Sequence, residues 1–213
     1  MFRRLTIVVL LLAIGLVGIA IVQSTGNSEV FSRSATAPGE PASSPSGSDP
    51  PSNESPGRSG PFTVLAIGDS LMVGAREELA NAHPGIVLDA EQGRKFSTGI
   101  DVLEEHLATS APDVVVFALG TNNGATPEQI AEVMDLASNV EEVIFVNVVV
   151  PRAWQEGTNV AILEAAAVYD NVSYVDWHSE SFGTSELFRS DGYHLSPSGI
   201  ERWVDLIIHA ARA

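Results

Sequence analysis

Residues 62–213 predict a three-layer α/β/α fold built on a five-stranded parallel sheet. Short β-branched runs alternate with stretches of helical periodicity, the pattern of a parallel sheet covered by helices on both faces. The runs are apolar at nearly every position rather than at every second one, as strands buried on both sides require. Capping residues mark two of the helix starts.

In chain order the expected strands are 63–67, 86–90, 113–119, 143–149 and 172–176. Helices are expected at 71–82, 98–109, 127–139 and 159–169, with a last one from Pro197 to the C-terminus. Thr126 is placed to cap the helix whose first residue is Pro127, with Gln129 reaching back, and Ser196 to cap the one beginning at Pro197. The last helix sets Ile200, Trp203, Val204, Ile207 and Ile208 on one face at helical spacing, a core-packing pattern, and Trp177 is also expected in the core. About 150 residues of such sequence hold enough apolar surface to fold as one domain.

Ahead of this domain, Leu5 to Val22 reads LTIVVLLLAIGLVGIAIV without a charge. As a helix it spans about 27 Å, close to the hydrocarbon thickness of a bilayer. Arg3 and Arg4 precede it, so residues 1–22 are expected to form a signal-anchor transmembrane helix with the rest of the chain across the membrane. A cleaved signal peptide is the rival, but the small-x-small site Ala35-Thr36-Ala37 lies far beyond the apolar stretch. Residues 23–61 are rich in Ser, Gly and Pro and read as a disordered linker with a reach on the order of 35 Å. The expected location is the cell membrane, single-pass, with the folded domain extracytoplasmic.

Composition narrows the function. With 27 acidic and 11 basic residues the formal net charge is −16, which repels phosphate backbones and argues against a nucleic-acid partner. No cysteine occurs, which excludes disulfides, thiolate metal sites and a cysteine nucleophile. His83, His106, His178 and His209 show no metal-ligand spacing, and no metal or other cofactor is expected.

Ligands of open α/β sheets collect beyond the carboxyl ends of the strands. Gly68-Asp69-Ser70 follows the first strand, where glycine permits a tight turn and the serine sits at a helix N-terminus. Gly120-Thr121-Asn122-Asn123 follows the third and brings side-chain amides able to donate to an oxyanion. Asp191-Gly192-Tyr193-His194 precedes the last helix, and an acid three residues before a histidine can reach its imidazole and fix the tautomer. Each of these is weak alone.

Together, in this order and context, they resemble the block pattern of the SGNH (GDSL-like) hydrolases over essentially residues 62–213. That resemblance implies an SGNH, flavodoxin-like sheet with Ser70 as nucleophile, His194 as general base and Asp191 orienting the histidine. It also implies an oxyanion hole from the Ser70 amide, Gly93 and the Asn122 side chain. Where the family commonly has Asp after the block-three Asn, this sequence has Asn123, and no role is carried over to it. Asp89-Ala90, Gly93-Arg94, the Gly-Thr-Asn-Asn turn, Val150-Pro151-Arg152-Ala153-Trp154 and Asp176-Trp177 narrow the likeness to the extracytoplasmic domain of peptidoglycan O-acetyltransferases. In that setting Arg94 and Trp154 become candidate substrate-binding residues, each against a bland reading as surface charge or loop cover.

The expected activity is a serine-dependent esterase that removes O-acyl groups, O-acetyl above all, from a cell-surface carbohydrate through an acyl-enzyme. Two alternatives stand beside it. One is an O-acetyltransferase that acetylates peptidoglycan or another envelope polymer, served by a membrane acyl-donor protein; the other is a non-catalytic carbohydrate-binding module on the same fold.

Overall fold

A computed structural model describes residues 60–213, so the expected membrane span and all but the end of the linker lie outside the described residues. Within them five strands form one parallel sheet: β1 (Val64–Gly68), β2 (Val87–Ala90), β3 (Val114–Ala118), β4 (Glu142–Val146) and β5 (Val172–Val175). The spatial order is β2-β1-β3-β4-β5. The chain leaves β1 outward to β2 and then returns to the other side as β3, so the winding reverses between β1 and β3. Such a reversal opens a crevice at the carboxyl ends of those two strands.

Alternation along the central strands feeds two cores. Val64, Ala66, Val114, Val116, Ile144 and Val146 face one side, while Leu65, Ile67, Val115, Phe117, Val143 and Phe145 face the other. Both sets are apolar, which is why the runs lack a polar second position. The edge strands depart from that expectation: Val87 of β2 is exposed and most of β5 is half-buried, because an edge strand is covered less completely.

On the first face lie α1 (Ser70–Gly74), α2 (Arg76–Ala82) and α7 (Pro197–Arg212). The other face is covered by α3 (Phe96–Leu107), α4 (Pro127–Leu136) and α5 (Gln155–Val168). Ile200, Trp203, Val204, Ile207 and Ile208 of α7 are all buried, as their spacing predicts. Truncating Trp203 to Ala would cost about 3–5 kcal/mol. Both predicted caps form: Thr126 and Gln129 close a capping box, and the Ser196 hydroxyl accepts from Gly199 N–H at 3.1 Å.

Some boundaries move. The helix expected at 71–82 is two, broken at Ala75, whose N–H is shared between the carbonyls of Leu71 and Met72. The strand expected to reach 149 ends at Val146, after which Val148 N–H and C=O are taken by the Asn159 side chain instead of a neighbouring strand. Two short elements were not anticipated, α6 (Trp177–Glu180) and a 3-10 turn over Ser185–Leu187. Trp177 is fully buried, with its ring edge-on to Phe188 at 5.7 Å.

Candidate active site

Ser70 follows β1 as the first residue of α1, and its position depends on its two predecessors. A Cβ on Gly68 would stand 2.5 Å from Met72 Cβ, so only glycine lets the strand turn this sharply into the helix. Asp69 caps the helix through Oδ1, which accepts from Leu71 N–H at 3.0 Å. Because α1 has only five residues its macrodipole is small, and the free N–H groups of its first turn matter more than the dipole inferred from the serine's place at a helix start.

Asp191 and His194 arrive from the loop before α7. The neck of that loop is closed by a bridge between Phe188 and Leu195 and by Arg189 N–H donating to His194 C=O at 2.7 Å. Gly192 turns the loop tip with φ of 80°. Ser196 N–H donates to Leu187 C=O at 3.0 Å, and Gly199 lies so close to that carbonyl that an added Cβ would overlap it. The loop is thereby seated on the first turn of α7.

His194 Nε2 lies 3.1 Å from Ser70 Oγ, and its Nδ1 lies 2.9 Å from Asp191 Oδ2. The other Asp191 oxygen accepts from the backbone N–H of His194 at 2.9 Å and of Tyr193 at 3.1 Å. Backbone donation from His194, then its ring, then the Tyr193 N–H hold the Asp191 carboxyl down to about 2, so it is ionised at any physiological pH. An ionised Asp191 facing Nδ1 favours the proton there, which leaves Nε2 as the acceptor toward the Ser70 hydroxyl. The arrangement can therefore move a proton off Ser70.

Ser70, Gly93, Asn122, Arg189, Tyr193 and His194 share the walls of one cavity of about 460 Å³. Gly93 has φ of 77°, a conformation that keeps glycine there even though a Cβ would meet nothing within 4 Å. Asn122 Nδ2 donates to Arg94 C=O at 3.3 Å and to Asp69 Oδ2 at 3.4 Å. Asp69 is 1% exposed, and burial raises its carboxyl above the usual range despite hydrogen bonds from Leu71 N–H and the Thr121 side chain.

The two candidate substrate-binding residues stand elsewhere. Arg94 is buried and turned into the protein, where its guanidinium donates to Asp89 Oδ1 at 2.7 Å, Asp89 C=O at 2.6 Å and Gly68 C=O at 3.4 Å. It ties the end of β2 to the end of β1 and takes no part in the cavity wall. His106 completes that cluster at 2.9 Å from Asp89 Oδ2. Burial alone would raise the Asp89 carboxyl, but the His106 and Arg94 hydrogen bonds outweigh it and hold it below its ordinary value. Trp154, half-buried at the start of α5, covers the turn after β3 at Gly124 and likewise stays off the cavity wall.

Tyr193 and Arg189 were not among the residues singled out from sequence. Tyr193 packs against the His194 ring at 4.3 Å between centroids, and its place inside the Asp-Gly-Tyr-His segment was the available signal. Arg189 had none beyond its proximity to that segment.

No family model matches the chain. It is 33% identical over 162 residues to the peptidoglycan O-acetyltransferase OatA of Listeria monocytogenes, covering 74% of this chain and 26% of the relative. To the O-acetyltransferase OatA of Staphylococcus aureus it is 33% identical over 146 residues, covering 68% and 24%. The chain thus spans about a quarter of the length of these curated relatives. Among solved structures, the C-terminal catalytic domain of the Streptococcus pneumoniae peptidoglycan O-acetyltransferase A aligns with a TM-score of 0.59 at 21% identity, covering 70% of this chain and 94% of that one. A GDSL-like lipase from Bacteroides thetaiotaomicron aligns with a TM-score of 0.58 at 20% identity, covering 70% and 87%. At those identities the structural matches speak for the fold.

Proposed function

Because the chain carries an SGNH (GDSL-like) hydrolase domain related to those of peptidoglycan O-acetyltransferases, we propose that it transfers an O-acyl group, acetyl foremost, to a hydroxyl of peptidoglycan through a Ser70 ester. The domain is an SGNH-type enzyme, hydrolase or acyltransferase, which sets aside the binding-module reading. The observation that carries the mechanism is the continuous run of contacts from Asp191 through His194 to Ser70, at 2.9 and 3.1 Å.

In the first half-reaction His194 Nε2 takes the hydroxyl proton as Ser70 Oγ attacks the acyl carbonyl. Negative charge moves to the carbonyl oxygen, where the N–H groups of Ser70 and Gly93 and the Asn122 amide are the candidate donors. Collapse breaks the bond to the leaving oxygen, which takes the proton from His194 and departs, and the acyl group stays on Ser70. In the second half His194 removes a proton from the acceptor hydroxyl, which attacks the ester, and the same proton returns to Ser70. Asp191 holds the imidazole and stabilises its charged form without being protonated.

The acceptor decides between transfer and hydrolysis. The relation to peptidoglycan O-acetyltransferases favours transfer to a hydroxyl of that polymer, which reverses the order expected from sequence, where the esterase came first. Hydrolysis remains the second reading because the His194 side chain is 32% exposed and water can approach the acyl-enzyme. Incubating the domain with an acetyl ester, with and without peptidoglycan oligosaccharides, and weighing the products separates them. Acetylated oligosaccharide is expected; free acetate alone in the presence of the acceptor would make the enzyme an esterase.

The location belongs to the same proposal. Arg3 and Arg4 before the apolar run of residues 5–22 support an N-terminal anchor, with the domain outside the cytoplasm and near its polymer substrate. A membrane protein that supplies the acyl group is the partner this reading calls for.

A further inference from the structure

A second cavity, of about 430 Å³, opens at the same end of the sheet as Ser70 but shares no wall residue with the first. Asn147 reaches it directly after β4 and Asp176 directly after β5, while Gln155, Glu156, Val160 and Leu163 line it from α5. Its volume falls in the range that encloses small organic ligands. The mechanism at Ser70 uses none of these residues.

The polar part of the wall is held in place by its own hydrogen bonds. Asp176 Oδ1 accepts from Asn147 Nδ2 at 2.7 Å and from Ser179 N–H at 3.1 Å, and Asn147 Oδ1 accepts from His178 N–H at 2.8 Å. Burial alone would raise the Asp176 carboxyl, but the hydrogen bonds from Asn147 and Ser179 outweigh it and hold it below its ordinary value, so it stays an acceptor. Gln155 Oε1 accepts from Val150 N–H at 2.7 Å, which leaves Nε2 to donate. Neither that nitrogen nor the Tyr174 hydroxyl, also in the wall, has a protein hydrogen-bond partner among the described residues. Beside these groups Val160 and Leu163 form an apolar strip, 45% and 52% exposed.

This combination selects among ligand classes. Glu156 and Asp176, with no Lys or Arg in the wall, disfavour a carboxylate or a phosphate. An ammonium suits the two carboxylates but only donates, and leaves the Gln155 amide unanswered. A sugar hydroxyl both donates and accepts, and the C–H face of a sugar ring suits Val160, Leu163 and the Tyr174 ring. The position fits a polymer as well. β1 and β5 lie three strand spacings apart, so the segments that leave them at Ser70 and Asp176 are separated by roughly 14 Å. Several linked sugars cover that distance, and one does not.

We propose that the cavity between α5 and the ends of β4 and β5 is a distal subsite that holds neutral sugar units of the polymer to which Ser70 delivers its acyl group. The inference deepens the Ser70 reading, on which it rests, by naming where the rest of the saccharide lies. Contacts this far from the reacting atoms are alike in ground and transition states, so they act on KM.

Three oligosaccharides test it on the full chain: the β-1,4-linked dimer and hexamer of N-acetylglucosamine, and the hexamer of glucosamine. Binding is measured to Ser70→Ala, and acetyl transfer from a soluble acetyl ester is measured with Ser70 intact. Each is repeated with Val160→Arg combined with Leu163→Arg, and with Val168→Arg, an exposed α5 position outside the cavity. Thermal melting checks folding. The N-acetylglucosamine hexamer is expected to bind about 10-fold or more tighter than the dimer and to show the same advantage in KM as acceptor. The double substitution should remove that advantage, and Val168→Arg should keep it. Equal binding of dimer and hexamer, or an advantage that survives the double substitution, would overturn the proposal. A glucosamine hexamer that binds tighter than its acetylated counterpart, with the gain lost in the double variant and kept in Val168→Arg, would give the cavity to an amine and overturn the neutral-sugar assignment. Hexamer binding that depends on Val160 and Leu163, without acetyl transfer or phosphonate labelling of Ser70, would instead sink the serine reading and leave the cavity a saccharide site.

Discussion

The Asn122 side chain, from the turn after β3, donates to the buried carboxylate of Asp69, from the turn after β1, across 3.4 Å. Asp69 Oδ2 is the acceptor in this contact, so Asn122 presents its nitrogen rather than its oxygen on this side. The two loops at the reversal of the sheet are thereby coupled through a donor that also faces the cavity.

Asn122→Ala should lower turnover by about 100-fold or more while leaving KM little changed, as for loss of a donor that acts on the transition-state oxyanion. Steady-state kinetics on a soluble acetyl ester checks this. Near-normal turnover in Asn122→Ala with a large loss in Asn123→Ala would assign the role to the neighbouring amide.

Asp69→Asn should make the domain more stable and less active. Burial raises the Asp69 carboxyl, so the folded state disfavours its ionised form; that penalty is present above the raised value and is relieved as pH falls through it. A neutral Asn still caps α1 and avoids the penalty. The variant should therefore melt above wild type at neutral pH. The gain over wild type should shrink on acidification. Melting curves across pH test the sign, and a variant that melts lower than wild type at neutral pH would contradict it.

The Ser70, His194 and Asp191 assignments predict a unit rather than a sum. Ser70→Ala should abolish labelling by a phosphonate, and Ser70→Ala combined with His194→Ala should cost little more than either alone. Asp191→Asn should fold normally yet lose about 10⁴-fold in turnover, because an amide supports the wrong tautomer. With its carboxyl at about 2, Asp191 keeps its contacts down to strongly acidic solution and loses them only as pH falls through that value. The pH profile above about 4 should therefore show no limb that disappears in Asp191→Asn. Additive losses in the double variant would point to another nucleophile.

The membrane orientation proposed from Arg3 and Arg4 predicts that protease added to intact spheroplasts removes the domain. Survival until the membrane is lysed would place it on the other side.

How much of this was legible in the sequence depended on what kind of information each residue carries. The sheet and the last helix were readable because their burial follows a period, as at Val114 to Phe117 and at Ile200 to Ile208. The strands at the edges were read as more buried than they are, since Val87 has the same composition as an interior strand residue and only the spatial order exposes it. Ser70, Asp191 and His194 could be grouped because each follows or precedes a recognisable element at the sheet's carboxyl end. Arg94 was misplaced for the converse reason: its neighbour Gly93 lines the cavity, but the side chain of Arg94 turns inward to Asp89, a partner five residues back whose direction no spacing rule fixes. Arg189 went unmarked because its place on the cavity wall is a property of the folded chain that no spacing shows.

The contact between Gly199 and the Leu187 carbonyl leaves no room for a side chain, and it lies at the root of the loop that delivers His194 to Ser70. One methyl group there has nowhere to go except by prying the loop from its seat. Gly199→Ala would thus act as a lever, silencing the enzyme from a position that is not on the cavity wall. In a random mutagenesis screen, inactivating changes should accordingly cluster at this hinge as well as in the cavity, and would be mistaken for folding defects unless the protein's abundance were measured beside its activity.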